Sequence, residues 1–360
     1  MAADAGEKRL LPIGQDPSES PFEDVDGGED ASADDEALAF RTLGPDRLLD
    51  AIDEAGWPTD GRVSALNSYE NRVYSVGLDA GGFVVAKFYR PGRWSDAAIL
   101  EEHAFCAELV ERDLPVVAPL ATPDGRTLFH SGPFRLALYP RVGGRPPELD
   151  DPEHLAVIGR TLARMHLVGD LRPFEHRPHI GLERLGDEPR EFLLDSALLP
   201  GHVADAWATL TDELLDVVAE RLDEVDADEL RVHGDFHPGN LLLGADGTPQ
   251  LLDFDDTGTG PAVQDLWMCL SGTRDWAQAR LGDLLDGYHE FREFDLRELE
   301  LIEPLRTLRM IHHAGWLASR WEDPAFQKGF PQFAETRFWD EHVLALREQH
   351  AALDEPPLRY

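Results

Sequence analysis

Apolar positions along this chain change period once, and the change falls near residue 140. Residues 45–55 carry helical spacing and end at Gly56. A strand-rich stretch covers 66–78, with Asn67 to Asn71 in its first half and Val73-Tyr-Ser-Val76 in its second. Ala80-Gly-Gly82 is a turn, and residues 83–89 read as a strand stopped by Arg90-Pro-Gly92. Ser95 is placed to cap a helix to about Arg112, with Ile99, His103, Cys106 and Val110 on one face. Residues 115–119 and 134–139 add further strands. Beyond them the pattern turns helical. Residues 152–166 stack Leu155, Ile158, Leu162 and Met165, a second helix covers about 203–222, and helices dominate after Asp265.

Strands first and helices after predict an α+β protein of two lobes. A small β-rich N-lobe (41–140) packs on a larger, mostly helical C-lobe (141–360), with Val142 to Pro147 as a hinge. A cleft between two such lobes is a natural nucleotide site. Residues 1–40 are different. They hold twelve Asp or Glu against Lys8 and Arg9, and are expected to form a disordered acidic tail, because they bury too little apolar surface to offset ordering entropy.

Charge narrows the partners. A net charge of −37 over 360 residues argues against nucleic acid and anionic membranes, which call for a basic face. No apolar run is long enough to span a bilayer, and the start lacks the layout of a signal peptide. Cys106 and Cys269 sit in apolar helical contexts and read as buried free thiols. A cytoplasmic monomer is the expectation.

The densest chemistry lies in His233-Gly-Asp-Phe-His-Pro-Gly-Asn240, followed thirteen residues after Asn240 by Asp253-Phe-Asp-Asp256. Leu241-Leu-Leu243 and Gln250-Leu-Leu252 flank Asp246-Gly247, a hairpin signal that puts Asn240 and Asp253 at the same open end. An amide oxygen and a carboxylate there suit Mg²⁺, which keeps waters and binds substrate phosphates. Asp235, in the loop just before, is placed to take a hydroxyl proton. Together the three predict ATP-dependent phosphoryl transfer.

Lys87 interrupts an apolar strand, where an unpaired charge is costly, and is one of three Lys in an Arg-rich chain. It is expected to hold ATP phosphates. Glu102 is the preferred helix partner, with Glu101 and Glu108 as alternatives. There is no G-x-G-x-x-G. The β-turn segment 66–73 takes its place, where main-chain amides and the Ser68 hydroxyl can meet phosphate. His233 and His237 flank Asp235 and suggest a two-metal hydrolase, but no second ligand cluster follows, so both read as structural. Asp265 reads as a helix N-cap able to bond the catalytic loop. Trp267, Trp316, Trp321 and Trp339 read as core.

These residues resemble the protein-kinase-like superfamily of aminoglycoside phosphotransferases and choline kinases, through Asp235, Asn240, Asp253 and Leu162-Ala-Arg-Met-His166. They are still more similar to the bacterial stress response kinase A family of serine/threonine protein kinases. That likeness is carried by segments 66–74, 85–91, 99–103, 233–235, 260–268, 301–305 and 355–358. The resemblance implies Asp235 as proton acceptor, Asn240 and Asp253 as Mg²⁺ ligands with Asp253 also catalytic, and Ser68 and Lys87 as ATP contacts. It implies a protein Ser or Thr hydroxyl as acceptor. Phe236, Pro238 and Phe254 depart from the usual pattern without removing a functional atom. The same motifs also fit a small-molecule kinase acting on an amino sugar, amino alcohol or metabolite. A nucleotide-sensing scaffold without turnover is a third option.

Overall fold

The computed structural model describes residues 33–360. In chain order the N-lobe runs α1 (Ala33–Arg41), α2 (Pro45–Glu54), β1 (Thr59–Ala65), β2 (Arg72–Leu78), β3 (Phe83–Phe88), α3 (Asp96–Glu111), β4 (Phe129–Ser131) and β5 (Phe134–Pro140). Its five strands form one antiparallel sheet in the order β1-β2-β3-β5-β4.

Alternation along β3 sends the two faces of this sheet to different partners. Val84, Ala86 and Phe88 pack with Tyr74, Val76, Leu136 and Leu138 against Leu48, Ala51 and Ile52 of α2. The opposite face meets α3, where Ile99 packs on Tyr89 and Ala137. Lys87 therefore points toward α3 and not into the α2 core. Ser95 caps α3 as expected, its hydroxyl accepting the Ala98 N–H at 3.1 Å. Ile99, His103 and Cys106 are buried as expected, together with Glu102, Phe105 and Leu109, whereas Val110 is exposed.

The C-lobe contains α4 (Pro152–Gly169), α5 (Glu188–Asp195), α6 (Gly201–Val225), β6 (Glu229–Val232), β7 (Leu241–Leu243), β8 (Pro249–Leu251), β9 (Gly258–Pro261), α7 (Arg274–His289), α8 (Ile302–Ser319), α9 (Pro324–Gly329) and α10 (Thr336–Leu353). Strands β6 and β9 pair, as do β7 and β8. The stacked residues of α4 are fully buried, and Ile158, Leu162 and Met165 belong to one large core. Helices α4 and α7 approach so closely that a Cβ on Gly159 would lie 2.0 Å from the Leu284 carbonyl oxygen. Trp267 and Trp339 are core residues, and Trp316 and Trp321 pack against that core. Both cysteines are free and buried. Among the described residues no helix is long and apolar enough to cross a membrane.

Three expectations need correction. The acidic tail does not extend to residue 40: α1 begins at Ala33, and Phe40 is buried under the Arg72 and Arg90 guanidiniums. The rest of that tail lies outside the described residues. Residues 115–119 form no strand; Val116 makes only an isolated bridge to Leu251, beside the β7–β8 hairpin. Asp265 does not cap a helix but closes a tight turn, Ala262–Asp265.

Candidate active site

The β7–β8 hairpin turns at Gly247, whose φ of +79° only glycine adopts without strain. At its open end the Leu252 N–H bonds the Asn240 carbonyl at 2.9 Å, so Asn240 and Asp253 stand side by side. The Asn240 side-chain amide donates to the Asp235 carbonyl at 3.0 Å, which leaves its Oδ1 turned away from that bond. Asp253 itself is left-handed, φ +55°, a conformation Asp tolerates better than most residues. Its carboxylate is 56% exposed, and Oδ1 accepts from Lys87 Nζ at 3.2 Å.

Lys87 is 5% exposed and joins three carboxylates. Its Nζ lies 2.8 Å from Asp255, 3.2 Å from Asp253 and 3.8 Å from Glu102. Burial opposes its charge, but Asp255, Glu102 and Asp253 outweigh burial and hold its pKa well above the ordinary value. Burial pushes Glu102 up to about 7, against the pull of Lys87. The three helix glutamates separate cleanly. Glu101 accepts the main-chain N–H groups of Glu175, His176 and Arg177 at 2.6–2.8 Å, and Glu108 pairs with Arg231 at 2.8 Å. Only Glu102 faces Lys87.

Asp255 is the carboxylate that sequence reasoning did not single out. It is buried, pairs with Lys87, Arg93 and the Asn71 amide, and its pKa falls well below the usual range because Arg93 and Lys87 outweigh burial. Arg177 underlies the same corner, donating to the carbonyls of Asp255 at 2.5 Å and Thr257 at 2.8 Å. Three Asp in four residues was the only available signal.

The loop carrying Asp235 is held from behind. Asp265 accepts the N–H of His233 at 2.7 Å and of Gly234 at 2.9 Å, and also the His166 ring at 3.1 Å. Tyr288 then meets the other nitrogen of His166 at 2.9 Å. The His233 ring donates Nε2–H to the Leu252 carbonyl at 2.8 Å, which ties the two loops together. His237 accepts the Gly239 N–H through Nδ1. The structural reading of both histidines therefore agrees with their bonds. The Asp235 carboxylate faces Arg309 of α8 at 2.8 Å and His237 at 3.5 Å. Burial would raise its pKa, but Arg309 and His237 prevail and keep it well below the usual range.

Ser68 lies in the β1–β2 connection, residues 66–71, and among the described residues no hydrogen bond joins it to this cluster. The connection is latched to the C-lobe. Glu70 accepts from the Trp316 indole at 2.5 Å and from Arg320 at 3.2 Å, and Tyr69 packs on Phe330 at 4.7 Å. Arg72 and Arg90 both reach Asp323, at 3.0 and 2.8 Å.

No group of three or more His, Cys, Asp or Glu among the described residues is arranged to hold a metal by itself. The pair Asn240 and Asp253 offers two hard oxygen donors at one hairpin end, a set that fits a cation completed by phosphate and water.

The model of the phosphotransferase enzyme family, APH, matches residues 62–305, which reach into both lobes and hold Lys87, Glu102, Asp235, Asn240, Asp253 and Asp255, with Arg309 beyond the match. The chain belongs to that phosphotransferase family. Among its relatives, stress response kinase A of Escherichia coli K12 is 44% identical over 323 residues, covering 90% of this chain and 97% of that protein. The serine/threonine protein kinase RdoA of Salmonella typhimurium LT2 is 43% identical over 325 residues, covering 90% and 98%. The resemblance to stress response kinase A read from the sequence is therefore met across the chain. In fold, this phosphotransferase matches an amicoumacin kinase in complex with AMP-PNP and Ca²⁺ (TM-score 0.66, 20% identity, 85% and 93% covered). It matches a microcompartment-associated aminopropanol kinase similarly (0.67, 20%, 87% and 99%). The two α+β lobes expected from the strand-then-helix pattern, and the protein-kinase-like fold implied by the resemblance, are the fold of this phosphotransferase.

Proposed function

We propose that this phosphotransferase is a serine/threonine protein kinase that uses Mg²⁺ and ATP. One juxtaposition supports the reading most: Lys87 reaches Asp253, while Asp253 stands beside Asn240, whose side chain bonds the main chain of Asp235. ATP would lie between the lobes, its adenine along the 139–144 segment. The Lys87 ammonium steadies the phosphates, positioned by Glu102. The Ser68 loop contacts the nucleotide from above. Asp253 and Asn240 hold the metal, which when bound neutralises charge on the phosphates. Asp235 orients the acceptor hydroxyl and takes its proton. A carboxylate held by Arg309 and His237 is a weak base, so alignment is the larger part of its work. The protein acceptor is favoured by the relatives named kinase at 43–44% identity. The small-molecule kinases named above share the fold at 20% identity and do not by themselves favour a small acceptor.

The test is phosphate transfer from labelled ATP to a protein substrate, beside a panel of small alcohols, for the wild type and Asp235→Ala. Labelled Ser or Thr in the wild type is expected, with Mg²⁺ dependence. Turnover should fall by about three orders of magnitude in Asp235→Ala while ATP still binds. Undiminished turnover in that variant would remove Asp235 from its role, and labelling of small alcohols alone would move the acceptor class.

A further inference from the structure

The acceptor side of the catalytic loop is built from cations. Arg309 gives one nitrogen to Asp235 at 2.8 Å, and its side chain remains 47% exposed. The wide turn Glu183–Asp187 packs on α8 next to it, with Gly186 against Leu308, and carries Arg184. The Arg184 guanidinium lies over the Trp94 ring at 4.8 Å, beside those of Arg177 at 4.1 Å and Arg93 at 5.2 Å. These three differ in what they have left to give. Arg93 is committed to Asp255 and Asp256, and Arg177 to the carbonyls beneath them. Among the described residues Arg184 has no carboxylate within ion-pair distance. His312, one turn along α8 from Arg309, is close enough to feel Asp256, Arg184, Arg309 and Arg93; burial, Arg184 and Arg309 keep it neutral, a pKa of about 4.

In a chain of net charge −37, a half-buried guanidinium that shares the surroundings of His312 with Arg309, with Asp256 near but out of ion-pair contact, is an unfilled anion position. Screening over about 8 Å at physiological ionic strength lets such a local group outweigh the acidic surface as a whole. We infer that Arg184 and Arg309 form an anion subsite that selects acceptors carrying a negative group beside the hydroxyl, so that the preferred peptide has its Ser or Thr flanked by acidic residues. The inference rests on the kinase reading above and adds the charge of its substrate. Both arginines are specificity residues here; neither is asked to move a proton.

The experiment compares kcat/KM for three serine peptides, flanked by Asp and Glu, by Ala, or by Lys and Arg, using labelled ATP. The wild type should prefer the acidic over the neutral peptide by about tenfold, the worth of one charge-assisted contact. Arg184→Gln should reduce that ratio to about twofold or less, and Arg184→Lys, which returns the charge without the stacked fork, should restore only part of it. Arg309→Gln, which should lower the same ratio, serves as a second variant should Arg184→Gln fold poorly. The KM for ATP is followed in parallel. A wild type without acidic preference overturns the inference. So does a variant in which the ratio stays while the KM for ATP rises, since the arginines would then serve the nucleotide. If no peptide is labelled, a hydroxy acid and an amino alcohol are offered instead. Preference for the hydroxy acid keeps the anion subsite and removes the protein acceptor; preference for the amino alcohol, or labelling of neither, removes both.

Discussion

Asp265 takes the main-chain N–H of His233 at 2.7 Å from a position 32 residues later in the chain. With the second bond to Gly234, one buried carboxylate fixes the start of the loop that carries Asp235. Replacing it by Ala leaves two buried N–H groups and the His166 ring without their acceptor. Each orphaned group costs about 1–3 kcal/mol. Asp265→Ala is therefore expected to lose about 3–5 kcal/mol in urea unfolding and to lower kcat as well as stability. A variant that unfolds within about 1 kcal/mol of wild type would show that the loop is held by something else.

Among the described residues Lys87 is the only cation that touches Asp253, Asp255 and Glu102 together. Lys87→Met keeps the volume of the side chain and removes the charge. The KM for ATP should rise by about tenfold or more, equivalent to at least about 1.4 kcal/mol of lost binding. Nucleotide titration followed by fluorescence, alongside initial rates, measures it; an unchanged KM contradicts the phosphate role.

Glu298 gives the sharpest pH signature outside the site. Its carboxylate accepts the Val263 N–H at 2.8 Å, and burial raises its pKa from 4.5 to about 7. The folded state thus holds this proton more tightly than the unfolded chain does. The contribution is complete below about pH 4.5 and disappears as pH rises through about 7. Glu298→Gln cannot ionise, so wild-type stability relative to that variant should decline by up to about 3 kcal/mol between pH 4.5 and 8. Parallel stability curves for the two proteins would refute it.

The contact between α4 and α7 admits no side chain at Gly159. Gly159→Ala should force the helices apart and cost about 1–3 kcal/mol or more, read as a lower Tm. A Tm equal to that of wild type would mean that the two helices separate at little cost.

Much of this arrangement is legible in the sequence because local rules and global fold agree there. The β7–β8 hairpin announces itself through Asp246-Gly247, and with it the pairing of Asn240 and Asp253. Lys87 is marked by its charge in an apolar strand, and the fold buries it toward α3 and Glu102. Strand β1 escapes because Thr59–Ala65 is an exposed edge strand without an apolar face to mark it. Helix α1 escapes because acidic composition hides the one residue, Phe40, that anchors it. The partners of Asp255 are the harder loss. Arg93 reaches its carboxylate from 162 residues away and Arg177 its carbonyl from 78, and only the folded chain brings both to one residue. Glu101 and Glu102 adjoin on the same helix, and helical phase alone could prefer one but could not show that Glu101 serves the 175–177 amides.

The bonds of Glu70 to Trp316 and Arg320, with those of Arg72 and Arg90 to Asp323, fasten the small lobe to the far end of the large one. Spent nucleotide bound under that loop would leave only after these contacts part. Asp323 is 3% exposed and Glu70 12%, so salt screens this fastening little, and parting of the lobes, not chemistry, would then govern the steady state.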